Sequence, residues 1–153
     1  MPRAKSPRLF AFPLKVGERG ALSKALARAR LPTDGLDSPG PLFWRFETAD
    51  SMPVGFGGLE IYGEDALLRS ILVLPPLRRR GLGTALVAQL ETEAAVLKCR
   101  AVWLLTDGAS EFFDRLGYAK CDRAVVPQAI RDTRQFTALC PESATVLVKR
   151  LAA

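Results

Sequence analysis

The sequence predicts an α/β fold in which one mixed sheet is interleaved with helices, built as a single domain over residues 1–153. Three observations predict it. An apolar run at 67–74, broken only by Arg69 and Ser70, reads as a buried strand. Pro75 and Pro76 end it, because neither can donate to a sheet ladder. Beyond a short arginine and glycine loop, a long helical pattern places Leu82, Leu86, Leu90, Ala94 and Leu97 on one stripe. A strongly apolar stretch at 101–106 then returns as a second buried strand.

The remaining elements fall into place around that unit. Residues 9–14 are apolar and short, a first strand, and 17–30 have helical character, with Leu22, Leu26 and Ala29 on one face. Residues 31–40 are rich in proline, glycine and aspartate and form a loop. Residues 43–48 read as a strand, 49–53 as a hairpin turn, and 54–61 as a further strand into which Gly55, Gly57 and Gly58 are crowded. Glycines weaken a strand interior unless something approaches the backbone or the strand bends. Residues 62–65 turn the chain into the strand at 66–74. Past the strand at 101–106, residues 109–116 form a short helix carrying Phe112 and Phe113, with Gly117 as its C-cap. A strand starts at Tyr118, a helix with Pro127 near its start spans 127–139, and a β-branched strand closes the chain at 143–151.

Composition bounds the function. The chain has 153 residues, enough for one full core, and a hydrophobic content of 48% that argues a globular fold. No apolar run approaches the about 20 residues that span a bilayer. Met1 to Arg8 is basic, but no long apolar segment follows it, so it does not read as a secretory signal. Cys99, Cys121 and Cys140 lack metal-ligand spacing and read as buried thiols of a cytoplasmic protein. The absence of histidine excludes a histidine-based triad or zinc site, and no metal is expected. The net charge of +6 is spread along the chain apart from Arg78, Arg79 and Arg80, without the aromatic interleaving of a single-strand binder, so neither nucleic acid nor membrane is expected as partner.

Arg78, Arg79, Arg80, Gly81, Leu82, Gly83 and Thr84 join the end of a strand to the open N-terminus of a helix. The first helical turn has N–H groups without intrahelical partners and carries the positive end of the dipole. Glycines let an anion approach the backbone, so the loop is a phosphate cradle in physical terms. It is not a P-loop, since no Gly-Lys-Ser/Thr follows, nor a Rossmann fingerprint, since Arg79 stands where the first glycine would fall. At the carboxyl end of a strand, it occupies the place where open α/β sheets bind ligands.

The pattern filled by Arg78, Gly81 and Gly83 resembles the pyrophosphate-binding motif of the GNAT N-acetyltransferases. The resemblance implies a GNAT fold with a mostly antiparallel mixed central sheet flanked by helices, acetyl-coenzyme A as cosubstrate, and contacts to it from Leu72, Val73 and residues 78–84. It is compatible with a homodimer. Residues 105–118 are similar to a block of the N-acetylglutamate synthase acetyltransferase domain. Gly58-Leu59-Glu60-Ile61-Tyr62-Gly63, Leu68-Arg69-Ser70 and residues 136–141 resemble the small GNAT proteins encoded with arsenic-resistance genes, some of which acetylate the α-amino group of glutamate mimics such as arsinothricin or phosphinothricin.

That chemistry requires a base for the amine, donors for an oxyanion and a proton for the leaving thiolate. Glu60, the only carboxylate in the strand at 54–61, is the candidate base, directly or through a water; the alternative is a solvent-facing carboxylate. Where most GNAT enzymes place a tyrosine this chain has Phe113, which cannot donate a proton, so Thr106 is the substitute acid, or else a cap for the next turn. Tyr118 reads as core. Arg69 interrupts a buried strand, so it either faces a ligand pocket or pairs with an acid such as Glu60. Arginine forks suit the carboxylate of an amino-acid acceptor, with Ser70 as a neighbouring donor and Arg131 and Arg134 as second candidates. Such basic residues disfavour a polyamine, aminoglycoside or protein N-terminus as acceptor, and the intact cradle disfavours a non-catalytic binding module.

Overall fold

The computed structural model describes residues 8–33, 35–77, 81–139 and 144–151. Arg78, Arg79, Arg80, Cys140 and the start of the closing strand lie outside these residues. Seven strands form one sheet in the order β1-β2-β3-β4-β5-β7-β6, and four α-helices accompany them among the described residues. The chain divides into two compact units, Met1–Gly58 with Ser70–Thr92 and Leu59–Arg69 with Glu93–Ala153, so β3 (Pro53–Tyr62) and β4 (Asp65–Val73) each run through both.

The first unit holds β1 (Phe10–Leu14), α1 (Gly20–Arg28), β2 (Leu42–Glu47) and most of α2 (Leu82–Val96). β1 lies antiparallel to β2, with Phe10 opposite Glu47 and Leu14 opposite Phe43. Leu14, Leu22, Leu26, Leu36, Phe43, Phe56 and Leu72 form its core. The helix expected at 17–30 is divided: a 3-10 turn takes Val16–Glu18 and α1 begins at Gly20. Arg19 stands between them and turns its side chain inward. Its Nη1 donates to the Leu36 and Ser38 carbonyls at 2.9 and 2.8 Å, its Nη2 to Pro41 at 3.0 Å, and its guanidinium lies 4.7 Å over the Phe43 ring.

The crowded glycines of β3 have close-approach reasons. A Cβ on Gly55 would meet the Leu72 carbonyl oxygen at 2.0 Å, one on Gly57 would meet Leu90 of α2 at 2.5 Å, and one on Gly58 would meet the Phe43 ring at 2.6 Å. The stripe of α2 buries Leu82, Leu86, Leu90 and Ala94, but not Leu97. The helix ends at Val96, and Leu97, 41% exposed, belongs to the turn that Lys98 makes at φ +71°.

The second unit holds β5 (Ala101–Thr106), α3 (Ser110–Arg115), β6 (Ala119–Lys120), α4 (Gln128–Arg131) and β7 (Thr145–Arg150). β4 runs parallel to β5 only from Asp65–Ala101 to Leu67–Trp103, whereas β5 and β7 pair antiparallel from Ala101–Arg150 to Thr106–Thr145. Leu67, Ala101, Trp103, Val126, Ile130, Phe136 and Val146 form the core here. Gly117 closes α3 at φ +95°, as a C-capping glycine does.

Three further expectations are corrected. The segment 127–139 is not one helix: α4 stops at Arg131 and a π-helical turn takes Gln135–Leu139. Thr133 between them explains the break, since its hydroxyl donates to the Ile130 carbonyl at 2.7 Å and accepts from the Phe136 amide at 3.2 Å, offering the backbone a local alternative to helical bonds. The strand expected from Tyr118 begins at Ala119 and has two residues, because Tyr118 is spent on the core, its amide on the Phe113 carbonyl. Cys99 is buried as expected, but Cys121 is half-buried.

Candidate active site

The loop expected to cradle phosphate offers main-chain groups among its described residues. β4 ends at Val73, a 3-10 turn takes Pro75–Leu77, and the Leu74 amide ties the exit of the strand to the Val54 carbonyl at 2.8 Å. Gly81 adopts φ +74° with open space where its Cβ would stand, so conformation rather than crowding requires glycine there. Its carbonyl accepts the Ala85 amide at 3.3 Å, the first such bond of α2 among the described residues. Among the described residues nothing accepts from the amides of Leu82, Gly83 and Thr84. These are the unspent donors that a helix N-terminus offers an anion. Arg78, Arg79 and Arg80 lie outside the described residues. The Leu72 side chain belongs to the core and its carbonyl lies against Gly55, and Val73 is half-buried.

A side-chain site lies in the second unit. Arg69 and Glu60 are both buried, their side chains 4% and 11% exposed, and Arg69 Nη1 donates to Glu60 Oε2 at 2.8 Å. Tyr62, two residues along β3 and so on the same face as Glu60, donates its hydroxyl to the other carboxylate oxygen, Oε1, at 2.5 Å. Of the two readings open for Arg69, the structure displays the ion pair. Glu60 is correspondingly not a solvent-facing carboxylate. Burial, followed by the hydrogen bond and charge of Glu60, holds the Tyr62 phenol well above the ordinary tyrosine range, against a smaller opposite pull from Arg69. The Tyr62 ring packs against the apolar cluster that includes Leu67, Trp103 and Phe136. Tyr62 was within reach of sequence reasoning through its period-two spacing from Glu60.

The other candidates are dispersed. Ser70 sits at φ +58° in the middle of β4, a left-handed conformation that costs a non-glycine residue of order 1–3 kcal/mol and marks an irregularity in the strand. Thr106 ends β5 half-buried, its Oγ1 accepting the Ala109 amide at 3.2 Å, so it caps the following turn. Arg131 is half-buried at the end of α4. Its Nη2 donates to Gln128 Oε1 at 2.7 Å, and its Nε is buried with no hydrogen-bond partner among the described residues. Arg134 is exposed in the turn beyond. Phe113 is buried edge-on between Phe112, 5.0 Å away, and Tyr118, 5.5 Å away, and Tyr118 is core as expected.

Residues 16–118, the larger part of the chain, match the Acetyltransferase (GNAT) family. Over 82 residues the chain is 30% identical to the uncharacterized N-acetyltransferase CgeE of Bacillus subtilis (strain 168), covering 50% of this chain but only 32% of that protein. The N-acetylglutamate synthase of Neisseria gonorrhoeae, solved with coenzyme A and L-arginine, superposes with a TM-score of 0.77 at 16% identity over 98% of this chain and 35% of that one. Rv2747 of Mycobacterium tuberculosis, solved in complex with CoA, gives 0.75 at 20% identity over 94% and 99%. The chain thus spans about a third of CgeE and of the synthase, and the solved structures establish the fold. Among the described residues no helix is long and apolar enough to cross a membrane. By the extent of the family match, which takes in about two thirds of its residues, the chain belongs to the Acetyltransferase (GNAT) family.

Proposed function

We propose that the protein is a cytoplasmic, acetyl-coenzyme A-dependent N-acetyltransferase whose acceptor is a small amino acid or a glutamate-like toxic mimic of the arsinothricin or phosphinothricin type. The unspent amides of Leu82, Gly83 and Thr84 behind Gly81 are the observation that carries the reading. They match the donor set a pyrophosphate needs, and Arg78, Arg79 and Arg80 join them by sequence pattern. Bound acetyl-coenzyme A supplies an acetyl thioester as electrophile. What this chain supplies is the hold on the phosphates, a base for the amine and recognition of the acceptor.

Glu60 is the proposed base and Thr106 the proposed donor to the leaving group; Thr106 accepts through Oγ1 and retains its own proton to give. For the acceptor's acidic group the candidates remain Arg69, Ser70, Arg131 and Arg134. Glu60 balances the Arg69 charge before any acceptor arrives, so an acceptor carboxylate on Arg69 shares it with Glu60. Arg131 meets a neutral amide instead of a carboxylate, and its orphaned Nε supports a role toward an anion. The resemblance of 58–63 and 68–70 to the arsenic-resistance group supports the acceptor class.

The test is an acetylation screen of amino acids, arsinothricin, phosphinothricin, a polyamine, an aminoglycoside and a peptide N-terminus, each with acetyl-coenzyme A. The expected result is turnover of an amino acid or mimic. Preference for a polyamine or aminoglycoside overturns the acceptor reading. Coenzyme A binding without turnover of any amine favours the non-catalytic module that Phe113 in the core keeps open.

A further inference from the structure

We infer that Tyr62 is a proton relay between the acceptor's ammonium group and Glu60. The inference rests on the reading of Glu60 as the base and adds the route by which a proton reaches it. Glu60 is a difficult base to reach directly: its side chain is 11% exposed, Oε2 is taken by Arg69, and Oε1 is taken by the Tyr62 hydroxyl. Tyr62 is the half-buried member of the three. Its hydroxyl already points its proton at Oε1, and its oxygen retains lone pairs with which to accept another proton.

The step balances. An ammonium N–H bond, directly or through one water, breaks as its proton passes to Tyr62 Oη. The Oη–H bond to the original proton breaks as that proton passes to Glu60 Oε1. The ammonium becomes a neutral amine with a lone pair, the carboxylate becomes a carboxylic acid, and Tyr62 ends neutral as it began. Reversal of the same exchange toward water resets Glu60 after turnover.

The surroundings favour exchange over a standing tyrosinate. The charges acting on the phenol are Glu60 on its own strand and Arg69 on β4. Its ring packs against the apolar cluster that includes Trp103 of β5, Val146 of β7, Val126, Ile130 and Phe136. The raised phenol therefore keeps its proton at working pH and passes one on only by receiving another.

Phosphinothricin and glutamate serve as probe acceptors in the experiment, with Glu60→Gln, Tyr62→Phe and the double variant compared for kcat, KM, acetyl-coenzyme A affinity and melting temperature. Tyr62→Phe should lower kcat by about tenfold or more with little change in acceptor KM. The double variant should be no slower than Glu60→Gln alone, because both lie on one path. Rates in mixtures of light and heavy water should bow in the wild type, with two protons in flight, and become linear in Tyr62→Phe. The chain has two tyrosines, so in Tyr118→Phe a fluorotyrosine label alters the acidity of one phenol only, and kcat should respond. Wild-type activity in Tyr62→Phe beside an impaired Glu60→Gln overturns the relay and leaves the base in place, as do multiplicative losses or an unresponsive label. Wild-type activity in Glu60→Gln overturns the base itself and the relay with it.

Discussion

Two regions of this chain present charge-binding groups by opposite means. Ahead of α2 the donors are backbone amides, delivered by a turn at Gly81 and a helix start. At the end of β3 and in β4 the groups are side chains, buried Glu60 and Arg69 and half-buried Tyr62, joined at the Glu60 carboxylate. A main-chain site depends on dihedral angles and tolerates changes of side chain that respect them. A side-chain network depends on each member, because removing one leaves another buried without its partner.

The largest expected effect tests the network. Arg69→Ala leaves the Glu60 carboxylate buried without its cation, and breaking such a pair costs about 3–5 kcal/mol. Chemical denaturation of wild type and variant measures it, and a change below about 1 kcal/mol would show that the pair is dispensable to the fold. Replacing Arg69 and Glu60 together by Met and Leu should recover much of the loss, since a well-packed apolar pair often equals a buried ionic one.

Next comes the cradle. Gly83→Asp adds negative charge within the first turn of α2, where the phosphates are proposed to sit. Like charges in contact cost several kcal/mol, so acetyl-coenzyme A affinity should fall by about 100-fold or more by calorimetry, with the melting temperature nearly unchanged. Unchanged affinity would remove the cradle assignment. Gly81→Ala is gentler. Nothing crowds its Cβ, so its cost should be the conformational one alone, about 1–2 kcal/mol for a left-handed non-glycine residue.

The smallest effect is a pH dependence. The phenol of Tyr62 is raised in the fold, so the unfolded chain ionises first, near pH ~10. The stability it contributes is complete below that value and is lost as pH climbs from there through the folded value. Between about pH 9 and 11 the wild type should lose more stability than Tyr62→Phe, read as the difference between their melting temperatures. Identical slopes would mean that Tyr62 ionises as freely folded as unfolded.

The contrast also explains what could be read from the sequence. The frame of the proposed cradle was legible because spacing alone, two prolines, then Gly81 and Gly83 before a leucine stripe, implies strand, turn and helix start. The need of Arg69 for a partner was legible because a cation inside an apolar strand is costly, and Glu60 was among the partners expected. Arg19 was not legible. Its acceptors are carbonyls at 36, 38 and 41, and nothing local separates it from other arginines. The helical pattern over 127–139 misled because periodicity registers the apolar face and misses one threonine hydroxyl that captures the backbone at 130 and 136.

Pro13 sits in β1, at one border of the sheet, opposite Trp44. It offers no N–H to any strand that might dock alongside, and β6 at the other border has only two residues. Each rim is therefore a poor template for another chain, although Phe10 and Phe12 stand 41% and 40% exposed on β1. Growth of the sheet by addition of neighbours is disfavoured at both ends by the chain itself, and replacing Pro13 with a β-branched residue would make one of them more open to self-association.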